Sequence, residues 1–168
     1  MEQRDIVMTV IWASIGCGVL FGIAIGAVVC WFLAKWNRRI PPPHRRVAPW
    51  QIWIQLVPVF GVIGTFLVYP GMAASFDAHF RAKGEPAPSA RGIALAYCLT
   101  LLVLIPVSVA QIAINPVYRG EMPVGLPSPG LLALQVLGGL LSLVAIVLWI
   151  LLLVKFHGLQ KRIPETAA

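Results

Sequence analysis

Charged side chains are scarce in this chain, and acidic ones are the scarcest. Of its 168 residues, 11% are Asp, Glu, Lys or Arg, whereas 59% are hydrophobic. A soluble domain carries about 25% charged residues, because it must cover its surface with groups that water solvates. The composition therefore excludes an ordinary soluble domain. Together with a mean hydropathy of +0.86, it predicts a protein that is solvated by lipid.

Residue patterns that carry catalysis or metal binding are missing as well. Cys17, Cys30 and Cys98 lie inside apolar runs without CxxC or Cys/His spacing, so we expect small buried hydrophobic groups. No Ser/His/Asp arrangement has a workable order, and no glycine-rich loop is suited to phosphate. The sequence thus predicts a protein that is not an enzyme and has no metal or other cofactor.

The net charge of +7 does not indicate nucleic-acid binding. The Lys and Arg residues stand between the apolar runs, where they contact lipid headgroups and determine topology. No soluble unit presents them as a patch for a nucleic acid. The densest group follows the first run and is predicted to lie at the headgroups: Lys35, Arg38, Arg39, Arg45 and Arg46.

Four long apolar runs follow one another along the chain. Each exceeds the roughly 20 residues that a helix needs to cross a hydrocarbon core of about 30 Å. Lipid offers no partner for exposed backbone groups, so each run is predicted to be helical. The predicted helices cover residues 6–34, 50–76 (extending to 83), 92–114 and 130–156. The expected fold is an all-α membrane protein with four hydrophobic helices, forming one polytopic domain over residues 1–168.

The second run permits two topologies, because Pro58, Gly61 and Gly64 interrupt it and would suit a tight turn. If it crosses the membrane, the Lys and Arg residues divide almost equally between the two sides, with the N-terminus inside. If it enters and returns on the same side, eleven of the 13 lie on one side, as the positive-inside rule expects. Four crossings are the first expectation and re-entrance is the alternative. Both place the C-terminus in the cytoplasm, in an inner-membrane protein.

Small residues recur at every fourth position of the first helix. They are Ser14, Gly18, Gly22, Gly26 and Cys30. Such a small-residue stripe lets another helix approach closely and gain contacts that lipid tails do not supply. It predicts a packing face, either for a second copy or partner subunit or for the chain's own helices. In the fourth helix, Gly138 and Ser142 form a shorter small face that is a candidate internal mate.

The four runs contain no Asp, Glu, Lys, Arg or His, apart from Lys155 near the end of the last one. Intramembrane acids and bases mark proton relays and ion pathways, so their absence argues against a proton-coupled transporter. The polar groups nearest to membrane depth are Gln55, Gln111 and Gln135. We expect them to form hydrogen bonds between helices, or alternatively to line a polar path.

One segment carries a family resemblance. Residues 50–60 read WQIWIQLVPVF, and Ser75-Phe76 and Phe80 follow. This resembles a pattern in small four-helix bacterial membrane proteins of uncharacterised function, in which an aromatic-rich segment with a Leu-x-Pro-x-Phe core precedes a long helix and two further spans. The resemblance covers about residues 47–156. It implies a bacterial multi-pass membrane protein and supplies no catalytic residues.

These features favour a non-catalytic integral membrane protein, namely a structural, accessory or assembly subunit that associates through helix–helix packing. The alternative is an oligomeric channel or facilitator for a small solute. The expected partners are the lipid bilayer and other membrane helices, in a homo-oligomer or with a partner subunit, and no nucleic acid.

Overall fold

A computed structural model describes residues 3–86, 88, 90–115 and 128–164 of the chain. These residues form helices and contain no strand. The α-helices are α1 (Gln3–Arg39), α2 (Pro49–Trp53), α3 (Pro58–Ala82), α4 (Ala90–Ile114) and α5 (Pro129–Lys161). Residues 116–127 of the third predicted connector, which include Arg119, and the side chain of Ser14 lie outside the described part.

Three helices are long and apolar enough to cross a membrane: α1 from Gly16 to Arg39, α4 and α5. Many of their large apolar side chains are exposed, for example Leu20 (69%), Leu99 (63%) and Val154 (63%). Surfaces of this kind are stable only against lipid or other apolar helices. The predicted all-helical class is confirmed, and the three helices fit a multi-pass membrane protein.

The second apolar run is divided into separate helical pieces. A 3-10 turn over Ile54–Leu56 follows α2, and Val57 then adopts an extended conformation before α3 begins at Pro58. Proline disfavours the helical conformation in the residue before it and is well suited to the first position of a helix. The Val57-Pro58 pair therefore ends one helical segment and begins the next.

The chain reverses direction at this break. Gln55 lies against the first turns of α3, where a Cβ atom placed on Gly61 would be 2.6 Å from the Gln55 carbonyl oxygen. A Cβ atom on Gly64 would be 3.1 Å from Cγ of Gln55. The two glycines thus provide the space in which the segment before Val57 folds back along α3.

Contacts farther from the break continue the same pairing. A Cβ atom on Gly71 would be 2.5 Å from Cγ2 of Val47. The amide of Arg46 donates a hydrogen bond of 2.8 Å to Oγ of Ser75. Positions before and after the break thus pair at increasing sequence separation, so residues 46–75 form a helical hairpin, called the hairpin below.

The first limb of the hairpin also lies antiparallel to the second half of α1. Three contacts define this register: Nδ2 of Asn37 donates to the Val47 carbonyl at 2.8 Å, the Cys30 thiol donates to the Ile52 carbonyl at 3.3 Å, and a Cβ on Gly26 would be 3.1 Å from Cδ2 of Leu56. The second limb, α3, consequently runs in the same direction as α1.

The described chain divides into two compact units, of which the second covers Phe76–Arg162. Here α4 and α5 pack along each other. The end of α3 packs against the end of α5, because Phe76 stacks on Phe156 with ring centroids 5.5 Å apart. The guanidinium of Arg162 lies 4.7 Å from the Phe80 ring centroid. These aromatic contacts bring the C-terminal ends of α3 and α5 together.

Candidate functional site

The small-residue stripe of α1 is covered along only part of its length. Gly26 contacts Leu56, and Cys30 is buried with its thiol bonded to the hairpin. Gly18 and Gly22 are exposed, and no heavy atom outside their own helical surroundings lies within 4 Å of a Cβ placed on either. The stripe is thus divided into an internal packing face and an open face, whereas the sequence pattern is uniform.

The short small face predicted on α5 has a different neighbour. Gly138 lies directly against the side-chain amide of Gln111 on α4. That amide donates a hydrogen bond of 2.7 Å to the Leu134 carbonyl. Gly138 therefore provides space for a polar contact between α4 and α5. Ser142 lines an apolar groove of about 310 Å³ between the same two helices.

The three glutamines expected near membrane depth occupy different environments. Gln111 forms the helix–helix hydrogen bond just described, and Gln135 is exposed on α5. Gln55 lies at the turn of the hairpin, and its buried Nε2 has no hydrogen-bond partner in the part of the chain that the structure describes. Gln55 belongs to the first compact unit and the other two to the second.

One member of the basic group after the first run, Arg45, caps the end of α1. Arg45 donates hydrogen bonds of 3.1 Å to the Arg38 carbonyl and 2.9 Å to the Ile40 carbonyl. The last carbonyls of a helix have no hydrogen-bond partners within it and carry partial negative charge. A guanidinium at this end supplies both the donors and the positive charge. Arg46 is fixed through its backbone amide, which bonds to Ser75.

A cavity of about 350 Å³ opens beside the end of α1. It is lined by Trp31, Ala34, Lys35, Arg38, Arg39 and Trp53. The ammonium group of Lys35 lies 5.4 Å from the centroid of the Trp31 ring. The lining residues on α1 recur at intervals of three or four positions, so they lie on one helix face, and this spacing is visible in the sequence. The contribution of Trp53 depends on the fold of the hairpin and has no local signal.

Metal-binding groups do not converge in the described residues. No group of three or more His, Cys, Asp or Glu side chains there is placed to hold a metal ion. Cys17 is exposed and Cys30 and Cys98 are buried, all as free thiols. The features of chemical interest are therefore the open face of α1, the turn at Gln55 and the cavity beside α1.

Helices with exposed apolar surfaces and a cluster of cations at the end of one of them define a class, that of multi-pass helical membrane proteins. No family model, curated protein or solved structure matches the chain.

Proposed function

We propose that this chain is a non-catalytic subunit of a bacterial inner membrane, with an accessory or assembly role, which binds another membrane helix through the open face of α1. The supporting observation is the exposure of Gly18 and Gly22 on a helix whose neighbouring side chains, Leu20 and Phe21, are each 69% exposed. Two glycines one turn apart let a partner backbone approach closely, and the flanking apolar side chains then pack around it. The partner is a second copy of the chain or a helix of another subunit.

Substitution of the stripe tests this role. Gly22→Leu places a large side chain on the open face and should dissociate the complex. Gly16→Leu makes the same change on the opposite face of the helix, also with nothing within 4 Å, and should leave the complex intact. The measurement is the mass of the purified protein in mild detergent by light scattering. A wild-type monomer without co-purified partners, or equal masses for both variants, would contradict the proposed role.

We infer that the hairpin is re-entrant, so that α1, α4 and α5 alone cross the membrane. Leu56 lies beside Gly26, which is eight residues, or about 12 Å of helix, before the end of the apolar run at Ala34. The turn of the hairpin then reaches roughly the middle of a 30 Å core. Because Ser75 lies beside Arg46, α3 leaves the membrane on the side where α1 ends.

Backbone inside lipid needs partners for its polar groups, and both polar backbone groups of Val57 find them within the chain. The amide of Val57 donates to the Ile54 carbonyl at 3.0 Å, and its carbonyl accepts from the Gly61 amide at 2.6 Å. Pro58 has no amide hydrogen to satisfy. The two hydrogen bonds of Val57 support the reversal, whereas the buried Nε2 of Gln55 has no partner in the described residues.

The re-entrant arrangement also agrees with the positive-inside rule. The first connector, the second connector and the C-terminal segment then share the cytoplasmic side, and the N-terminus lies outside. The cytoplasmic cations are Lys35, Arg38, Arg39, Arg45, Arg46, Arg81, Lys83, Arg91, Lys155, Lys161 and Arg162. Only Arg4 and Arg119 remain for the other side.

A second candidate function is an oligomeric channel or facilitator, and Gln55 is the observation in its favour. An unpartnered amide donor at membrane depth costs about 1–3 kcal/mol unless a solute, a water or a partner satisfies it. If copies of the chain assemble around a path, Gln55→Leu should abolish solute flux into liposomes, whereas Gln135→Leu should not. Equal flux from both variants, or no flux from the wild type, would exclude Gln55 as a path residue.

A further inference from the structure

We propose that the cavity between the end of α1 and α2 binds the headgroup of an acidic phospholipid. This site is separate from the helix-binding face and does not depend on it. The cavity volume of about 350 Å³ falls within the range of about 300–1,000 Å³ that is typical of small-molecule sites. Its walls combine two indole rings with three cationic side chains.

The lining residues are ordered along the cavity by polarity. Trp31, Lys35 and Arg38 follow one another at intervals of about one turn and cover roughly 10 Å of α1. The indole lies toward the apolar run, and the guanidinium lies toward the basic connector. A phospholipid has the same order, with acyl chains on one side and a phosphate on the other.

Negative charge to balance this group is missing from the surrounding sequence. No Asp or Glu occurs between Asp5 and Asp77, while five Lys and Arg residues lie in that stretch. Arg45 already bonds the carbonyls at the end of α1. The side chains of Lys35 and Arg38 are exposed and form no ion pair within the described part of the chain, so they are available to an anionic headgroup.

The tryptophans favour a lipid over a free phosphate ion. Trp31 is 52% exposed and Trp53 is 40% exposed, and both line the cavity. A phosphate ion would neutralise the cations and leave these rings uncovered. The glycerol and upper acyl groups of a lipid would cover them, and indole rings prefer this level of the membrane. Basic pockets beside transmembrane helices on the cytoplasmic side are suited to phosphate-bearing lipid headgroups.

The test is retention of lipid by the full chain. The protein is reconstituted in nanodiscs of phosphatidylcholine containing a minor fraction of phosphatidylglycerol, released into mild detergent, and analysed by native mass spectrometry. The wild type should retain one phosphatidylglycerol per chain. The double variant Lys35→Gln, Arg38→Gln should bind it about 30-fold more weakly, since each cation near an anionic lipid contributes about 1 kcal/mol and about 1.4 kcal/mol is a factor of ten.

Two matched variants separate a specific site from general charge attraction. Lys83→Gln, Lys161→Gln removes the same charge from exposed residues that do not line the cavity, and should retain the lipid. Lys35→Arg, Arg38→Lys keeps both charges and should also retain it. Folding of the test variant should be unaffected, because both side chains are exposed and Arg45 bonds the backbone carbonyl of Arg38.

Three outcomes would overturn the proposal. Equal loss of lipid from both glutamine double variants would show attraction without a site. Release of the lipid by inorganic phosphate, at an ionic strength where chloride has no effect, would assign the cavity to a soluble anion. If a polyglutamate peptide added to the protein is retained and no lipid is, the cavity would be assigned to an acidic polypeptide.

Discussion

At the scale of single residues, the most deeply buried polar side chains of the described residues bond to the start of the hairpin. Asn37 and Ser75 are both fully buried. Each bonds a backbone group outside the helices, namely the Val47 carbonyl and the Arg46 amide. A buried backbone group without a partner is costly, so these side chains fix the connector in place.

Ser75→Ala should destabilise the protein by about 1–3 kcal/mol, because the partly buried Arg46 amide loses its acceptor. Ser108→Ala is the matched control, since the Ser108 hydroxyl bonds the Leu104 carbonyl of its own helix, and it should change stability by less than about 0.5 kcal/mol. Thermal unfolding can be followed with a thiol-reactive dye that reports exposure of Cys30 and Cys98, in a Cys17→Ser background. Equal melting temperatures for the two variants would contradict the role of Ser75.

Asp77 predicts a pH dependence of stability. Burial raises the pKa of its carboxyl above the usual value, and Arg81 and Arg91 offset part of this effect. The folded state thus binds a proton at Asp77 more tightly than the unfolded state does. The associated stability is complete below the pKa of an ordinary aspartate and is lost as the pH rises through the raised pKa.

Asp77→Asn should remove this dependence and leave a flatter profile of melting temperature from acid to neutral pH. The gain over the wild type should therefore be largest at neutral pH. Circular dichroism in detergent measures it without a thiol probe. A profile with the same slope as that of the wild type would show that Asp77 does not control it.

At the scale of elements, the hairpin depends on the absence of a side chain at its turn. Gly61→Ala should destabilise it by about 1–3 kcal/mol, because the new Cβ would overlap the Gln55 carbonyl oxygen. Gly139→Ala has open space around it and should be neutral or gain up to about 1 kcal/mol from helix propensity. The thiol-dye assay should show a lower melting temperature for Gly61→Ala and an unchanged or higher one for Gly139→Ala. Stabilisation of both variants would mean that the Gln55 carbonyl does not lie against Gly61.

The helices that the sequence predicted best are those defined by local composition. Residues 92–114 were expected to be helical and α4 spans Ala90–Ile114, because an uninterrupted apolar run in lipid has no other way to satisfy its backbone. The fold of the second run was less accessible. Pro58 marked a break in the run. The direction that the chain takes after the break depends on the contact of Gly71 with Val47, which is 24 residues away in the sequence.

The candidate sites were also predictable only where they depend on residues close together in the sequence. The small-residue stripe was visible as a spacing, yet which half would be covered depended on the return of Ile52 and Leu56 to α1. The cations beside Trp31 were also visible, but the cavity needs Trp53, which reaches α1 only through the hairpin. Non-local pairing of this kind has no periodic signal in a single sequence.

At the scale of the whole molecule, the direction of the hairpin decides the topology. With α1, α4 and α5 as the crossing helices, the number of crossings is odd and the two termini lie on opposite sides. With α3 crossing as well, the termini share a side. The distribution of Lys and Arg favours the first arrangement, since it gathers eleven of the 13 on the cytoplasmic face.

Labelling of single cysteines on intact cells distinguishes the two topologies. In a background with serine in place of the native cysteines, Pro43→Cys, Lys83→Cys and Ser128→Cys put thiols at exposed positions in three connectors. The re-entrant hairpin predicts that a membrane-impermeant reagent labels only Ser128→Cys, and that all three react once the cells are permeabilised. Labelling of Pro43→Cys without Lys83→Cys on intact cells would mean that α3 crosses the membrane. The basic connector would then be an external surface, available to an extracytoplasmic partner or to acidic lipids of the outer leaflet.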